Sequence, residues 1–479
     1  MSIKIIRRTQ SLCPTCLNVI PAELYENENV IYLRKRCERH GEFEDIYWTD
    51  AELYRLFEAR DALLGVHLPK TAIATGTPAE VEERGCPFDC GLCVRHESAT
   101  TLAIIDVTER CNLRCPTCFA AAGGGKDPNA EEIKAVIDRL SKLRPKPAGI
   151  QFSGGEPTLR DDLAELVAYA KRRFEHVEVN TNGLRLAESA EYCRELETAG
   201  LSVFYLQFDG IGPQPYETLR GKNLWDVKMQ AIENHRRAGE RPAIVLVPTV
   251  VRGVNDGQIG EIIKFAAANA DVVRGVNFQP VSLCGRTSFD VSRRVTIPDV
   301  LHAAEQQTSF LKATDFFPAS IMSLFITSWG GPPVGCHFCC GAVSYLIVGD
   351  SHKSGKGGKR SKMPTPAPIT RYLNVERLAR GYARKLQRKQ EISTLDVLKS
   401  VKPRLLLSPH FLLDAFRLKS KKYDDISALH FKLLLVGAMH FMDAFNFDLE
   451  RVRRCVIHYG LPDGRVVPFC AYNNIHRGS

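Results

Sequence analysis

Between residues 102 and 281 the chain alternates short apolar runs with longer amphipathic stretches. The runs at 102–107, 148–152, 177–181, 202–208, 243–250 and 275–281 predict strands, and the stretches near 130–143, 160–174, 187–199, 224–238 and 256–270 predict helices. Six strands separated by helices read as βα units and a parallel sheet. Six units are too few to close an eight-stranded barrel, so the pattern predicts an α/β chain with a partial, open (β/α)6 barrel. In such folds the loops that follow the strands carry function. Here every candidate group falls at that end. Cys111, Cys115, Cys118 and Phe119 follow the first strand, Gly154, Gly155 and Glu156 the second, Asn182 the third, and Gln207 and Asp209 the fourth.

Outside this repeat the pattern changes. A strand-like VIYLRKR separates two cysteine knuckles within residues 11–50, and 50–66 reads as a helix leading out of them. Residues 371–390 recur as apolar at Tyr372, Val375, Leu378, Ala379, Tyr382 and Leu386, with seven basic residues on the remaining surface. That suits either a core helix or a helix lying on a membrane surface. The runs LLLSPHFLLDAF and HFKLLLVGAMHFMDAF are too short to span a bilayer and read as core or as the wall of a hydrocarbon tunnel. The expected organisation is a metal-binding module over 1–50, a linker helix and cluster segment over 51–100, the barrel over 101–320, and a cysteine-containing C-terminal domain over 321–479.

Composition narrows the class. With 44% apolar residues in 479 the chain is globular and large enough for more than one core. It has no run of 18 apolar residues and no apolar leader, so a cytoplasmic protein is expected. Sixteen cysteines, mostly in short-spaced groups and without a secretory context, point to metal rather than disulfides. Charge is uneven: residues 351–420 carry 17 Lys/Arg against four Asp/Glu, whereas the whole chain nets +9. A local basic stretch suggests an anionic partner. It lacks the interleaved aromatics that stack on bases, which argues against nucleic acid.

Each cysteine group implies a site. Cys13, Cys16, Cys37 and His40, on two knuckles across a hairpin, suit one tetrahedral zinc or a rubredoxin-like iron. Cys86, Cys90 and Cys93 repeat the CxxxCxxC spacing of Cys111, Cys115 and Cys118 but follow a polar linker rather than a strand, and read as an auxiliary iron–sulfur cluster. Its fourth ligand stays open among Cys284, Cys340 and His96. Cys336 and Cys339, with Cys455 and Cys470, supply four thiols for a second auxiliary cluster, with zinc or free thiols as the alternative.

The loop CNLRCPTCF after an apolar strand resembles the signature of the radical S-adenosylmethionine (SAM) superfamily. The resemblance implies a 4Fe–4S cluster on Cys111, Cys115 and Cys118 whose open iron chelates SAM. Its reduction then yields methionine and a 5′-deoxyadenosyl radical for C–H activation. It also implies that Gly154, Gly155 and Glu156 meet the SAM amino group, that Asn182, Gln207 and Asp209 meet the ribose, and that Phe119 lies on adenine. A ferredoxin or flavodoxin is the implied electron donor. The layout of the whole chain resembles the group of archaeal tetraether lipid synthase and its bacterial relatives. That likeness implies coupling of lipid hydrocarbon chains, a lipid substrate and peripheral membrane contact. Relatives in that group carry a further cysteine near Thr101, which this chain lacks. Radical methylation of a pterin-like small molecule is the competing reading, followed by RNA modification and by a non-enzymatic metal scaffold.

Overall fold

A computed structural model describes residues 3–64, 84–90, 93, 95–125, 127–239, 242–327, 331–348, 365–388, 399–400 and 433–477. The basic linker 351–364 and the apolar run LLLSPHFLLDAF lie outside the described residues.

The six expected strands are present as β5 (Leu102–Thr108), β6 (Gly149–Gly154), β7 (His176–Thr181), β8 (Val203–Gln207), β9 (Ala243–Val247) and β10 (Val273–Pro280), each parallel to the next. Their two faces differ by simple alternation. On one face Ala103, Ile105, Val107, Ile150, Phe152, Val177, Val179, Phe204 and Leu206 form the main core with the helices. Helix α2 (Ala130–Ser141) shows how locally this is encoded: Asn129 and Glu132 close a capping box, and Ile133, Val136, Ile137 and Leu140 form the buried stripe. Helix α3 (Leu163–Lys171) has the same kind of buried stripe, Leu163, Leu166, Val167 and Ala170, without a side-chain cap. The stretch expected at 187–199 divides into α4 (Leu184–Glu188) and α5 (Ala190–Thr198), because Ser189 is extended and caps the second helix. Helices α6 (Gln214–Arg220), α7 (Trp225–Ala238), α8 (Ile259–Ala268) and α9 (Ile297–Gln307) follow.

The sheet does not stop at residue 320, as the repeat pattern suggested. Strand β11 (Gly341–Ile347) is antiparallel to β12 (Leu433–Met439), which lies parallel to β10; at the other end β13 (Ile457–Gly460) lies parallel to β5 and carries β14 (Val466–Pro468). The run LLLVGAM is therefore a sheet strand, with Leu434, Val436 and Ala438 in the main core rather than walling a tunnel. The C-terminal segment and the barrel share one sheet. No βα repeat announces these strands in the sequence.

The N-terminal module is a four-stranded antiparallel sheet, β1 (Lys4–Leu12), β2 (Val19–Asn27), β3 (Val30–Cys37) and β4 (Gly41–Trp48), followed by α1 (Ala51–Leu64). Helix α10 (Val375–Gln387) answers the choice left open for 371–390. Ala379 and Tyr382 are buried with Leu64, Phe317 and Ile321, and Arg60 pairs with Glu376. Its apolar face is covered, so it is a core helix and not a membrane-facing one. Among the described residues no helix is long and apolar enough to cross a membrane.

Candidate functional site

Cys111, Cys115 and Cys118 stand on the loop after β5, and neighbouring loops hold that loop in place. Gly155 N donates to Thr108 O (2.8 Å) and Glu156 N to Arg110 O (2.8 Å), so the segment after β6 clamps the root of the loop. A Cβ at Gly154 would fall 2.2 Å from Thr108 O and one at Gly155 2.1 Å from Arg110 O; Gly154 also has φ +121°. Crossing backbone alone therefore requires glycine at both positions. Asn182 Nδ2 donates to Asn112 Oδ1 (2.7 Å). Cys118 exchanges both backbone hydrogen bonds with Arg286, on the segment after β10. Burial pushes the Cys111 thiol up to about 11; burial also raises Cys115, against the pull of Arg220.

Two carboxylates expected to meet SAM are already engaged. Glu156 is buried: Oε1 accepts from Thr158 Oγ1 (2.6 Å) and Thr181 Oγ1 (2.8 Å), and Oε2 from Asn182 N (2.7 Å). It ties the ends of β6 and β7 together. Asp209, fully buried, forms a bidentate pair with Arg220 (2.6 and 2.7 Å) and also accepts from Gln207. Arg220 in turn donates to Thr117 O (3.2 Å) inside the cysteine loop. Gln207 Oε1 accepts from Lys228 Nζ (2.8 Å), which also donates to Asn182 O. Gln207 and Asp209 thus belong to one hydrogen-bonded group with Arg220 and Lys228 beneath the cysteine loop. Arg220 and Lys228 were missed by sequence reasoning. A signal existed for Lys228, which shares the buried face of α7 with Ala231 and His235 at helical spacing.

The sheet face opposite the helices carries hydrogen-bonding side chains. Gln151 Nε2 donates to Glu178 Oε2 (2.5 Å), and His176 Nε2 lies 2.7 Å from Glu178 Oε1. Asn180 Nδ2 donates to Ser153 Oγ (3.0 Å), while its buried Oδ1 has no partner among the described residues. Asn277 donates to the Tyr205 hydroxyl. Near the cysteine loop, Phe119 sits 5.7 Å from Phe469 in an aromatic group with Phe441, Tyr459 and Tyr472, and Arg477 pairs with Asp106 (2.9 Å).

In the N-terminal module the ligand atoms of Cys13, Cys16, Cys37 and His40 all lie within 4.8 Å of one another. Despite burial, the amides of Cys16 and Thr15 hold the Cys13 thiol below its usual value, and the amide of Arg39 does the same for Cys37. One nitrogen and three thiolates make a tetrahedral zinc donor set.

The chain matches the radical SAM superfamily over residues 105–266 and an HMPTM N-terminal zinc ribbon domain over 5–49. It is 41% identical to the 7,8-dihydro-6-hydroxymethylpterin dimethyltransferase of Methanocaldococcus jannaschii, covering 98% of this chain and 94% of that protein. The chain belongs to the radical SAM superfamily, in one family with that archaeal protein. Other radical SAM-region relatives are shorter matches. The mycofactocin maturase MftC of Mycolicibacterium smegmatis is 30% identical over 42% of this chain and 48% of its own. The GTP 3′,8-cyclase of Desulforamulus reducens is 27% identical over 50% and 75%.

Radical SAM proteins use a 4Fe–4S cluster and SAM, and the donor chemistry here fits: three soft thiols on one pinned loop, with no fourth cysteine in the motif. The zinc ribbon accounts for the extra mononuclear site. Most of the remaining cysteines of this radical SAM protein fall into two groups, 86/90/93 and 336/339/340 with 455 and 470. Cys90 faces Cys86, Cys93 and Cys455; Cys340 faces Cys336, Cys455 and Cys470. Cys339, expected to pair with Cys336, is buried in the main core with Tyr47 and Tyr54, and the thiol that acts on Cys336 is Cys340. The two are adjacent in a 3-10 turn that enters β11, so they point to different sides. Among the candidates for a fourth ligand to 86/90/93, His96 is turned to His458 (3.1 Å), Cys284 precedes Gly285, which packs on the backbone of Cys118 and Phe119, and Cys340 stands with Cys336. The thiol that faces Cys90 from outside its motif is Cys455.

Proposed function

We propose that this chain is a radical SAM methyltransferase acting on a reduced pterin of the 7,8-dihydro-6-hydroxymethylpterin type. The near-full-length relative of that name supports the reading, and the observation that carries it is the polar inner face of the barrel. Gln151, Glu178, Asn180, Tyr205 and Asn277 project hydrogen-bonding groups there, where a flat heterocycle rich in donors and acceptors can satisfy them.

The same face argues against coupling of lipid chains. A hydrocarbon would leave the buried Asn180 Oδ1, which has no partner among the described residues, unsatisfied at a cost of about 1–3 kcal/mol. When bound, the cluster and SAM supply a carbon radical that takes a hydrogen atom from a C–H bond. The chain's own residues do the rest. Thr108–Arg110, Asn112 and Thr117 are held so that the three thiols stay in register. Phe119, Phe441 and Phe469 keep water from the β5 side, and the inner polar residues orient the ring.

The test is anaerobic incubation of the reconstituted protein with SAM, a reductant and 7,8-dihydro-6-hydroxymethylpterin. Formation of 5′-deoxyadenosine together with a pterin heavier by one or two methyl groups is expected, and membrane lipid in place of the pterin should give no coupled product. Cleavage of SAM stimulated by lipid and not by pterin would reverse the assignment.

A further inference from the structure

We infer that Glu178 is the residue that reads the amino–oxo edge of the pterin ring, an inference that rests on the pterin reading above. The pyrimidine half of a pterin presents two adjacent donors, the ring N3–H and the exocyclic 2-amino group, at a spacing that matches the two oxygens of one carboxylate. Glu178 is the carboxylate placed for this. It lies on the inner face of β7, two residues deeper than Asn180, with 14% of its side chain exposed. Each oxygen accepts one hydrogen bond in the structure, Oε2 from Gln151 Nε2 and Oε1 from His176 Nε2 at 2.7 Å. Gln151 reaches it from the neighbouring strand and His176 from one step deeper on its own, so both bonds fix the carboxylate from the side and the floor. A carboxylate oxygen can accept more than one bond, which leaves one acceptor position on each oxygen for a ligand entering from the mouth.

The neighbouring strand β8 is complementary. Asn277 and Gln279 both donate to the oxygen of Tyr205, and burial raises the hydroxyl well above its usual range. Its proton is therefore retained and free to be given, which suits the 4-oxo group beside N3. Other buried carboxylates of the barrel do not offer two equivalent oxygens: Glu156 Oε1 already accepts from Thr158 and Thr181, Asp209 is held by Arg220, and Asp106 is paired with the Arg477 guanidinium. Only a two-donor edge uses both free positions of Glu178, so the inference excludes ring systems with a carbonyl in place of the 2-amino group.

The experiment is equilibrium binding to the metal-reconstituted full chain of two air-stable probes, 6-hydroxymethylpterin and its 2-oxo analogue 6-hydroxymethyllumazine. Wild type should prefer the pterin. In Glu178→Gln, pterin affinity should fall by about 10- to 100-fold, the range for a lost hydrogen bond to a charged group. Lumazine affinity should hold or rise, because an amide can donate to the 2-oxo group while accepting from N3–H. Retained lumazine binding also reports a folded barrel. If the variant aggregates, Glu178→Asp, which withdraws the oxygens by one methylene, must show the same selective loss. Equal loss for both probes, or no loss for either, would overturn the role of Glu178 while leaving the pterin reading intact. Failure of wild type to bind the pterin would sink that reading and this inference with it.

Discussion

The zinc ribbon and the cysteine loop after β5 are both short-spaced thiol groups, yet they are built on opposite plans. In the ribbon, Cys13 and Cys16 sit in one turn and Cys37 and His40 in the next, with local amides already lowering the pKa of Cys13 and Cys37. The site is a product of two hairpins and little else. The loop holding Cys111, Cys115 and Cys118 is shaped from elsewhere: by Gly155 and Glu156, by Asn182, by Arg220 and by Arg286. A closed mononuclear site can be encoded locally. A site that must keep one metal position open relies on distant parts of the fold to hold the loop that its missing ligand would have fixed.

The sharpest way to break the comparison is a double dissociation. Cys115→Ala should abolish SAM cleavage, a loss of at least about 10³-fold, with zinc content unchanged. Cys13→Ser should remove the zinc and lower cleavage by less than about tenfold, because the barrel loop does not depend on it. Loss of cleavage in both variants, with both metals gone, would mean the sites are one unit. Next in size, Cys340→Ala should lower the iron count measured after reconstitution whereas Cys339→Ala should leave it unchanged; the reverse would restore the 336/339 pair. Asp209→Asn leaves Arg220 buried without its charge partner, and should destabilise the protein by about 3–5 kcal/mol, read as a lowered melting temperature and weaker iron retention. If iron retention were untouched, Arg220 would not be supporting the loop.

The smallest effect is a pH dependence. Burial holds Lys228 at about 7 against an ordinary 10.5. Between those values the unfolded chain binds the proton and the folded chain does not, so this group makes stability rise with pH across that window, by about 1 kcal/mol per pH unit. Lys35, lowered by burial to about 8, contributes the same sign. Melting curves of wild type and Lys228→Met from pH 7 to 10 should therefore converge in slope only partly, the variant retaining the Lys35 share.

Much of this molecule was legible before any coordinates. The βα period of 102–281 marks all six strands because each alternates with a helix of its own, and the ribbon knuckles declare themselves by spacing. What escaped was whatever depends on a partner far along the chain. Glu156 and Asp209 sit at strand ends where a ligand contact is the natural reading, but the chain fills them first, Asp209 with Arg220 and Glu156 with Thr158, Thr181 and Asn182. Cys339 and Cys340 are indistinguishable by spacing; only the turn into β11 decides which faces the other thiols. The polar inner face was invisible for a different reason. Its residues are single polar positions inside runs that look apolar, and their meaning appears when the strands stand side by side.

The docking of the ribbon has a further consequence for how the molecule is made. Arg7, Thr9 and Tyr47 all converge on Asp448, Thr9 at 2.8 Å across 439 residues of chain, and Lys35 donates to the carbonyls of Ala444 and Phe445. Contacts of such sequence separation close late, so the ribbon seats only once residues 444–448 have folded onto the barrel.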